Sequence, residues 1–246
     1  MIRTIKSEII KAKNMRFFLI FLIYIIISFL FLYLVFSIFP TDLKDNNFTN
    51  KFFSLFLKYN LTTSGLFFGI LTIVNIGNDF KTNIYAKQFI SGISKDQYVF
   101  EKLFFIIITG FLTSIIEFIK FSVLQIIFLN HFSFNTYIIF KFSFSYFLFF
   151  NIIGFFTFFI VASAKNTILS SVIFYIVYKT INFISVYETM KIGTNFSDYL
   201  PIKSAENIVQ DFITTPLQIV LILLYIIIFI FLIFQIIKNQ EIIINK

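Results

Sequence analysis

Cysteine is absent from this chain of 246 residues, and His131 is its single histidine. The absence of cysteine excludes disulfides, thiolate metal sites and cysteine nucleophiles. A single histidine leaves little from which to build a zinc hydrolase or a histidine-based catalytic triad. The sequence also lacks a G-x-x-x-x-G-K-[ST] phosphate loop. We therefore expect that this chain binds no metal or other cofactor and hydrolyses no nucleotide itself.

Charged residues are scarce as well, at 13% of the chain, whereas 59% of the residues are hydrophobic. A soluble domain has about 25% charged residues, so this composition excludes a soluble enzyme. Intrinsic disorder is excluded too, because it requires low hydrophobicity. The composition predicts an all-α, polytopic membrane protein, with residues 1–246 forming a single transmembrane domain.

Six apolar stretches are long enough to cross a bilayer core of ~30 Å, which requires ~20 helical residues. The clearest of them, the uncharged stretch of residues 17–39, follows a basic segment. That segment, residues 2–16, has the pattern of an amphipathic helix at the membrane surface, and a plain positive anchor is the alternative. The other five predicted spans are residues 61–78, 103–129, 142–164, 167–187 and 216–237.

The net charge of +8 is interpreted as a topology signal rather than as a sign of nucleic-acid binding. With six spans, twelve lysines and arginines lie on the side of the two termini and six lie on the other side. This asymmetry predicts that both termini are cytoplasmic and that the chain resides in the cytoplasmic (inner) membrane. Residues 40–60 and 188–215 would then lie outside, and both segments are apolar enough to touch lipid or to dip back into the protein.

The segment between the second and third spans has the pattern of a short helix followed by a stop and a new start. Thr82 is placed to cap a helix of about residues 83–90, and Gly92 is placed to end it in the left-handed conformation. Ser94 and Gln97 form a capping-box pattern that starts the next helix. The sequence therefore predicts a short ordered helix at the cytoplasmic face.

The same segment resembles the type-2 ABC exporter permeases. Those proteins have an acidic–aromatic pair at the end of the second span, which Asp79 and Phe80 match. They also have a Gly-x-Ser-Arg motif and then a lysine at the start of the third span, which residues 92–95 and Lys102 match. The pattern is closest to bacterial, Bacteroidota-like relatives. The departures are Asp79 for the usual Glu, Ile84 for a common Thr and Lys95 for Arg.

The resemblance implies a permease subunit that moves a hydrophobic, peptide or lipid-linked substrate by export or by extraction from the membrane. It implies two kinds of partner besides the lipid bilayer: a second permease subunit, in a homo- or heterodimer, and a separate cytoplasmic ABC ATPase that binds ATP and Mg. A non-transporting membrane scaffold or assembly protein is the alternative. An intramembrane enzyme is less favoured, because the single histidine has no adjacent nucleophile.

By the same resemblance, the short cytoplasmic helix is a coupling helix that docks on the ATPase. Tyr85 and Phe89 are four residues apart and form one apolar face, which is suited either to a groove on the partner or to the lipid interface. The predicted coupling residues are Asp79, Phe80, Tyr85, Lys87, Gln88, Phe89, Gly92, Ser94 and Lys95.

Four residues stand out among the polar residues within the predicted spans: Asn75, Glu117, Lys120 and Lys179. A charge at the centre of a bilayer costs ~2.5–3.5 kcal/mol on insertion scales, so such residues usually face protein or water. Glu117 is spaced to pair with Lys120 one turn along its own helix, and Lys179 is an alternative partner. The sequence leaves open whether these residues are structural or line a substrate path.

Overall fold

The computed structural model describes residues 23–27, 29–30, 46–82, 84–129, 136–191, 196–211 and 216–240. Within these ranges the protein is all-helical, with a 3-10 helix at Phe196–Tyr199 and no strand. The α-helices are α1 (Asn46–Lys81), α2 (Ile84–Ile90), α3 (Lys95–Leu129), α4 (Thr136–Ala164), α5 (Thr167–Lys191), α6 (Pro201–Asp211) and α7 (Pro216–Asn239).

Five of these helices are long and apolar enough to cross a membrane, and they coincide with five of the predicted spans. The spans are Asn60–Lys81, Lys95–Val123, Lys141–Ala164, Thr167–Ser185 and Leu217–Asn239. The prediction of an all-α, multi-pass membrane protein is therefore confirmed. Of the predicted span 17–39, only residues 23–27 and 29–30 are described, and they are helical. The surface helix 2–16 lies outside the described residues, so the count of six spans stays a prediction.

Helix α4 is the centre of the bundle, because it packs against α1, α3, α5, α6 and α7. Its span is 72% buried, the largest share among the five spans. Large aromatic side chains fill this position, and Phe142, Tyr146 and Phe149 have no exposed surface. The aromatic residues of this span therefore form the core around which the other helices are arranged.

Glycines allow α1 to approach α5 closely. A Cβ atom at Gly69 would lie 2.2 Å from the Phe174 ring, and one at Gly65 would lie 2.8 Å from the Tyr178 hydroxyl. Small residues at such crossings let the backbones of membrane helices approach, which is where packing energy arises in lipid. Gly65 and Gly69 thus bring the second span close to α5.

The structure describes parts of the two segments predicted to lie outside. Residues 46–60 form no separate element, because they continue into the second span as part of α1. In the other segment, α6 begins at Pro201, and its Ile202, Ala205 and Ile208 are buried. This helix packs against α4 and α7, so the segment dips into the protein rather than lying on lipid.

Candidate functional site

Two local signals define where helix α2 ends and where helix α3 begins. Gly92 has a φ of +92°, and its N–H donates to the Phe89 carbonyl at 3.0 Å. The Ile93 N–H donates to the Gln88 carbonyl at 3.1 Å, which completes a Schellman motif. Ser94 and Gln97 form the reciprocal bonds of a capping box, at 3.0 and 3.2 Å. Both signals were predicted correctly.

The predicted cap at Thr82 is wrong. Its hydroxyl donates to the Asn78 carbonyl at 2.6 Å, so it bonds back to the last turn of α1 instead of capping α2. Threonine hydroxyls commonly form such a bond to the carbonyl four residues earlier, in competition with capping. Thr82 therefore belongs to the end of the second span.

The aromatic face of α2 turns inward. Tyr85 is buried, and its ring packs against Phe80 and Tyr98 with centroid distances of 4.8 and 5.2 Å. Phe89 is half-buried and meets the Tyr85 ring edge-on at 4.5 Å. This packing contradicts the expectation that Tyr85 and Phe89 form a docking face, because the pair is already occupied by the protein itself.

The residues of α2 that face outward are others. Lys87 is exposed and Ile90 is 65% exposed, whereas Gln88 is buried with its side chain turned inward. Gln88, one of the predicted coupling residues, is therefore not on the outer surface of α2. The outer surface of α2 therefore presents the apolar side chain of Ile90 beside Lys87.

Asp79 and Lys102 form a buried ion pair between α1 and α3. Their charged atoms are 2.5 Å apart, and each side chain is 1% exposed. The Lys102 ammonium also lies 5.6 Å from the centroid of the Tyr98 ring. Asp79 thus anchors the end of the second span to the start of the third, and Lys102 connects this pair to the aromatic cluster of Phe80, Tyr85, Phe89 and Tyr98.

Gln240, at the end of α7, links α2 to the end of α4. Its Oε1 accepts from the Tyr85 hydroxyl at 2.9 Å, and its Nε2 donates to the Ala162 carbonyl at 2.8 Å. Lys95 donates to the carbonyls of Lys238 and Gln240 at 2.9 and 2.5 Å, where a cation also suits the helix dipole. Sequence reasoning missed Gln240, since nothing in its neighbourhood distinguishes it from a polar helix end.

Burial among these rings and helix ends raises the pKa of the Tyr85 phenol to about 12. The Tyr85 hydroxyl is therefore a hydrogen-bond donor at any physiological pH. We call the assembly of Asp79, Lys102, Tyr85, Lys95, Gln240 and the aromatic cluster the α2 junction.

The second polar site lies inside the bundle around Glu117. Lys120 pairs with Glu117 Oε1 at 2.7 Å, as predicted, and both residues are buried. Tyr24 donates its hydroxyl to Oε1, and the Asn60 amide donates to Oε2 at 2.6 Å. Lys120 also donates to Asn60 Oδ1 at 3.1 Å. Both carboxylate oxygens are thus occupied, which favours a structural role over an open binding site.

Lys179 and Asn75 do not join this site. Lys179 is exposed on α5, and its ammonium lies 5.9 Å from the centroid of the Tyr175 ring on its own helix. The predicted alternative pairing of Glu117 with Lys179 is therefore wrong. Asn75 is 4% exposed, and its Nδ2 has no hydrogen-bond partner in the structure.

A third polar group, not predicted from the sequence, connects α5 to α6. Glu206 Oε1 accepts from the Tyr178 hydroxyl at 2.8 Å, and its Oε2 is 3.3 Å from the Lys203 ammonium. Ser204 lies inside α6, and its hydroxyl donates to the Pro201 carbonyl at 3.0 Å. The helix starts at Pro201, because proline at the first position needs no hydrogen-bond acceptor.

These three polar groups contain no recognisable catalytic set. In the part of the chain that the structure describes, no group of three histidine, cysteine, aspartate or glutamate side chains is placed to hold a metal ion. What the arrangement does is neutralise charge and join helices. No protein-family model, no curated protein and no solved structure matches the chain.

Proposed function

We propose that the chain is the transmembrane permease subunit of an ABC exporter, driven by a separate cytoplasmic ATPase. The observation that supports this most is α2: a seven-residue helix outside the spans, with a defined end at Gly92 and with attachments to the spans on either side. The absence of a phosphate loop in the sequence is consistent with ATP hydrolysis on another chain. The resemblance of residues 79–102 to exporter permeases supports the same function.

The attachments of α2 suit it to pass movement from a partner to the spans. The Asp79–Lys102 pair joins α1 to α3, and the Tyr85–Gln240 bond joins α2 to α7. Through Gln240, the end of α4 is also connected. Helix α2 thus contacts the ends of α1, α3 and α7 directly and the end of α4 through Gln240, so a displacement of α2 would move these ends together.

In this proposal the partner contacts the outer surface of α2, formed by Lys87, Ile90 and the following turn at Ser91 and Gly92. Ile90 is the large apolar side chain on that surface, and apolar anchors typically provide most of the affinity at an interface. Tyr85 and Phe89, on the inward face of α2, transmit movement to the spans and do not contact the partner. This division separates docking residues from coupling residues.

The test is purification of the tagged chain from native membranes, followed by assay for vanadate-sensitive ATP hydrolysis and identification of co-purifying chains. We expect an ABC ATPase to co-purify and Ile90→Asp to lower its recovery about tenfold, the effect of one strong interface residue. Tyr199→Asp is the matched control, since Tyr199 is 54% exposed on a different segment.

Two results would decide against the proposal. If the wild-type chain is isolated without any ATPase and without ATP hydrolysis, the scaffold alternative takes its place. If an ATPase co-purifies equally with wild type, Ile90→Asp and Tyr199→Asp, the transporter assignment stands but the docking surface on α2 is wrong.

A further inference from the structure

The lysines at the α2 end of the bundle fall into two groups. Lys102 pairs with Asp79, and Lys95 donates to carbonyls at the end of α7, so both of these cations are engaged within the protein. Lys81 and Lys165 are exposed, and neither side chain forms an ion pair or a hydrogen bond within the described part of the chain. The charges of Lys81 and Lys165 are therefore not neutralised by the bundle that carries them.

The contact between α1 and α5 brings these two lysines to one place. A Cβ atom at Gly77 would lie 2.6 Å from the Thr167 hydroxyl and 3.4 Å from the Thr167 Cα, so the two backbones touch there. Lys81 follows Gly77 by one turn on the same face of α1, and Lys165 precedes Thr167 by two residues. Both ammonium groups thus belong to the membrane boundary at which α1 ends and α5 begins. We call Lys81, Lys165 and this contact the basic site.

The backbone at Lys165 indicates that the lysine is there for its side chain. Its φ is +52°, in the left-handed region that glycine adopts most readily. The turn is held in this conformation by the next residue, because the Asn166 Oδ1 caps α5 by accepting from the N–H groups of Ile168 and Leu169 at 2.9 and 3.2 Å. The fold would favour glycine at position 165, so the turn does not account for a lysine, whereas a requirement for positive charge does.

The surface beside the basic site is apolar. Ile168 is 77% exposed and Leu169 is 50% exposed, and both follow Lys165 within the first turn of α5. A ligand of the site therefore meets two cations at the level of the lipid headgroups and apolar side chains just inside the membrane. An anionic phospholipid has this combination of a phosphate and acyl chains, and basic pockets between transmembrane helices are known to bind such headgroups. A soluble anion would leave the apolar surface uncovered.

We propose that the basic site binds the phosphate headgroup of an anionic phospholipid between Lys81 and Lys165, with an acyl chain against Ile168 and Leu169. The lipid would neutralise the two lysines and fix the end of α1 to the start of α5. This inference does not rest on the proposed transport function, because it concerns the binding of lipid by this chain alone.

The test measures lipid binding to the purified, delipidated chain in detergent by native mass spectrometry. Phosphatidylglycerol and phosphatidylcholine with identical acyl chains are the two probes, and we expect phosphatidylglycerol to bind more tightly. Lys81→Gln and Lys165→Gln should each weaken phosphatidylglycerol binding about fivefold, and the double variant about thirtyfold, the effect of one and two lysines near an anionic headgroup. Lys179→Gln is the matched control, since Lys179 is an exposed lysine further along α5.

Lys165→Gly separates a role in binding from a role in folding. Glycine adopts a positive φ without a steric penalty, so this variant should unfold at a higher temperature than the wild type in detergent without added lipid. It should nevertheless bind phosphatidylglycerol about fivefold more weakly, as Lys165→Gln does. Weaker binding by a more stable protein would support the inference, because damage to the fold could not explain it.

Four results would overturn the inference. Equal affinity of the wild type for the two lipids would show that the headgroup charge is not recognised, and an equal loss in Lys179→Gln would show that any lysine serves. Displacement of phosphatidylglycerol by inorganic phosphate would make the site one for a free anion. Unchanged phosphatidylglycerol binding by the double variant would exclude the lipid, and loss of a co-purifying protein from that variant would assign the two lysines to a protein contact instead.

Discussion

The buried ion pairs Glu117–Lys120 and Asp79–Lys102 are similar in distance and burial but differ in origin. The first joins two residues one turn apart on α3, with charged atoms 2.7 Å apart. The second joins α1 to α3, with charged atoms 2.5 Å apart. A pair within one turn forms as soon as its helix forms, whereas a pair between helices forms only after the helices have packed.

This difference separates two tasks that buried charges perform in a membrane protein. Glu117 and Lys120 enter the bilayer already paired, which lowers the cost of inserting either charge alone. Their remaining hydrogen-bonding groups then bind Tyr24 and Asn60 from neighbouring segments. Asp79 and Lys102 contribute nothing until α1 and α3 are side by side, so that pair stabilises the tertiary arrangement of the α2 junction.

The largest effect is expected from breaking the pair inside the bundle. Glu117→Gln leaves Lys120 buried without a counter-charge, and we expect a loss of about 4 kcal/mol in the free energy of unfolding, the usual cost of removing one partner of a buried pair. Thermal unfolding in detergent measures the loss.

The double variant Glu117→Gln/Lys120→Met should recover much of that stability, whereas Glu117→Gln/Lys179→Met should recover none. Recovery by the Lys179 substitution would show that the pairing in the structure is not the one used in the membrane.

Breaking the pair between helices is expected to cost somewhat less, because the α2 junction lies near the ends of the spans, where water is closer. Lys102→Met should lower the free energy of unfolding by about 3 kcal/mol. The exchange Asp79→Lys/Lys102→Asp should restore part of this stability, because it reverses the two charges and keeps the pair between α1 and α3. Asp96→Asn is the control, since Asp96 is exposed on the same helix. An equal effect of Asp96→Asn would mean that the pair is not specific.

The contact of Gly69 with Phe174 tests whether α1 packs closely on α5 between the two ion pairs. Gly69→Ala places a Cβ 2.2 Å from the Phe174 ring, and overpacking of this kind costs about 1–3 kcal/mol. Phe174→Leu should relieve part of the cost. Gly110→Ala is the matched control, because its Cβ would be 3.3 Å from the end of the Asn151 side chain. Similar losses for both variants would argue against close packing of α1 on α5.

The smallest effect is expected at the hydrogen bond between Tyr85 and Gln240. Tyr85→Phe removes the donor and should cost about 1 kcal/mol in the free energy of unfolding. Burial raises the pKa of Tyr85 from 10.0 to about 12, so the folded state holds the proton more tightly than the unfolded state. The associated stability is present below pH 10 and is lost as the pH rises towards 12.

Wild-type protein should therefore lose more stability between pH 10 and pH 12 than Tyr85→Phe, when both are measured by unfolding across that range. Parallel pH profiles for the two proteins would show that the phenol is not buried as the structure places it.

Contacts local in sequence were predictable here. The spans follow from the length of apolar stretches, and the stop at Gly92, the restart at Ser94 and the pair of Glu117 with Lys120 follow from spacings of a few residues. Each of these depends only on the geometry of one helix or one turn.

The contacts between helices were not predictable. The sequence alone offers several polar residues as partners for each buried polar group and does not distinguish among them. The predicted partner Lys179 proved to be exposed, and Tyr85 turned inward to a glutamine 155 residues away. The sequence by itself determined that the chain is a bundle of membrane helices, with a short helix that ends at Gly92 between two of them. Only the tertiary structure decided which faces are buried, since every face of such helices is apolar enough to meet either lipid or protein.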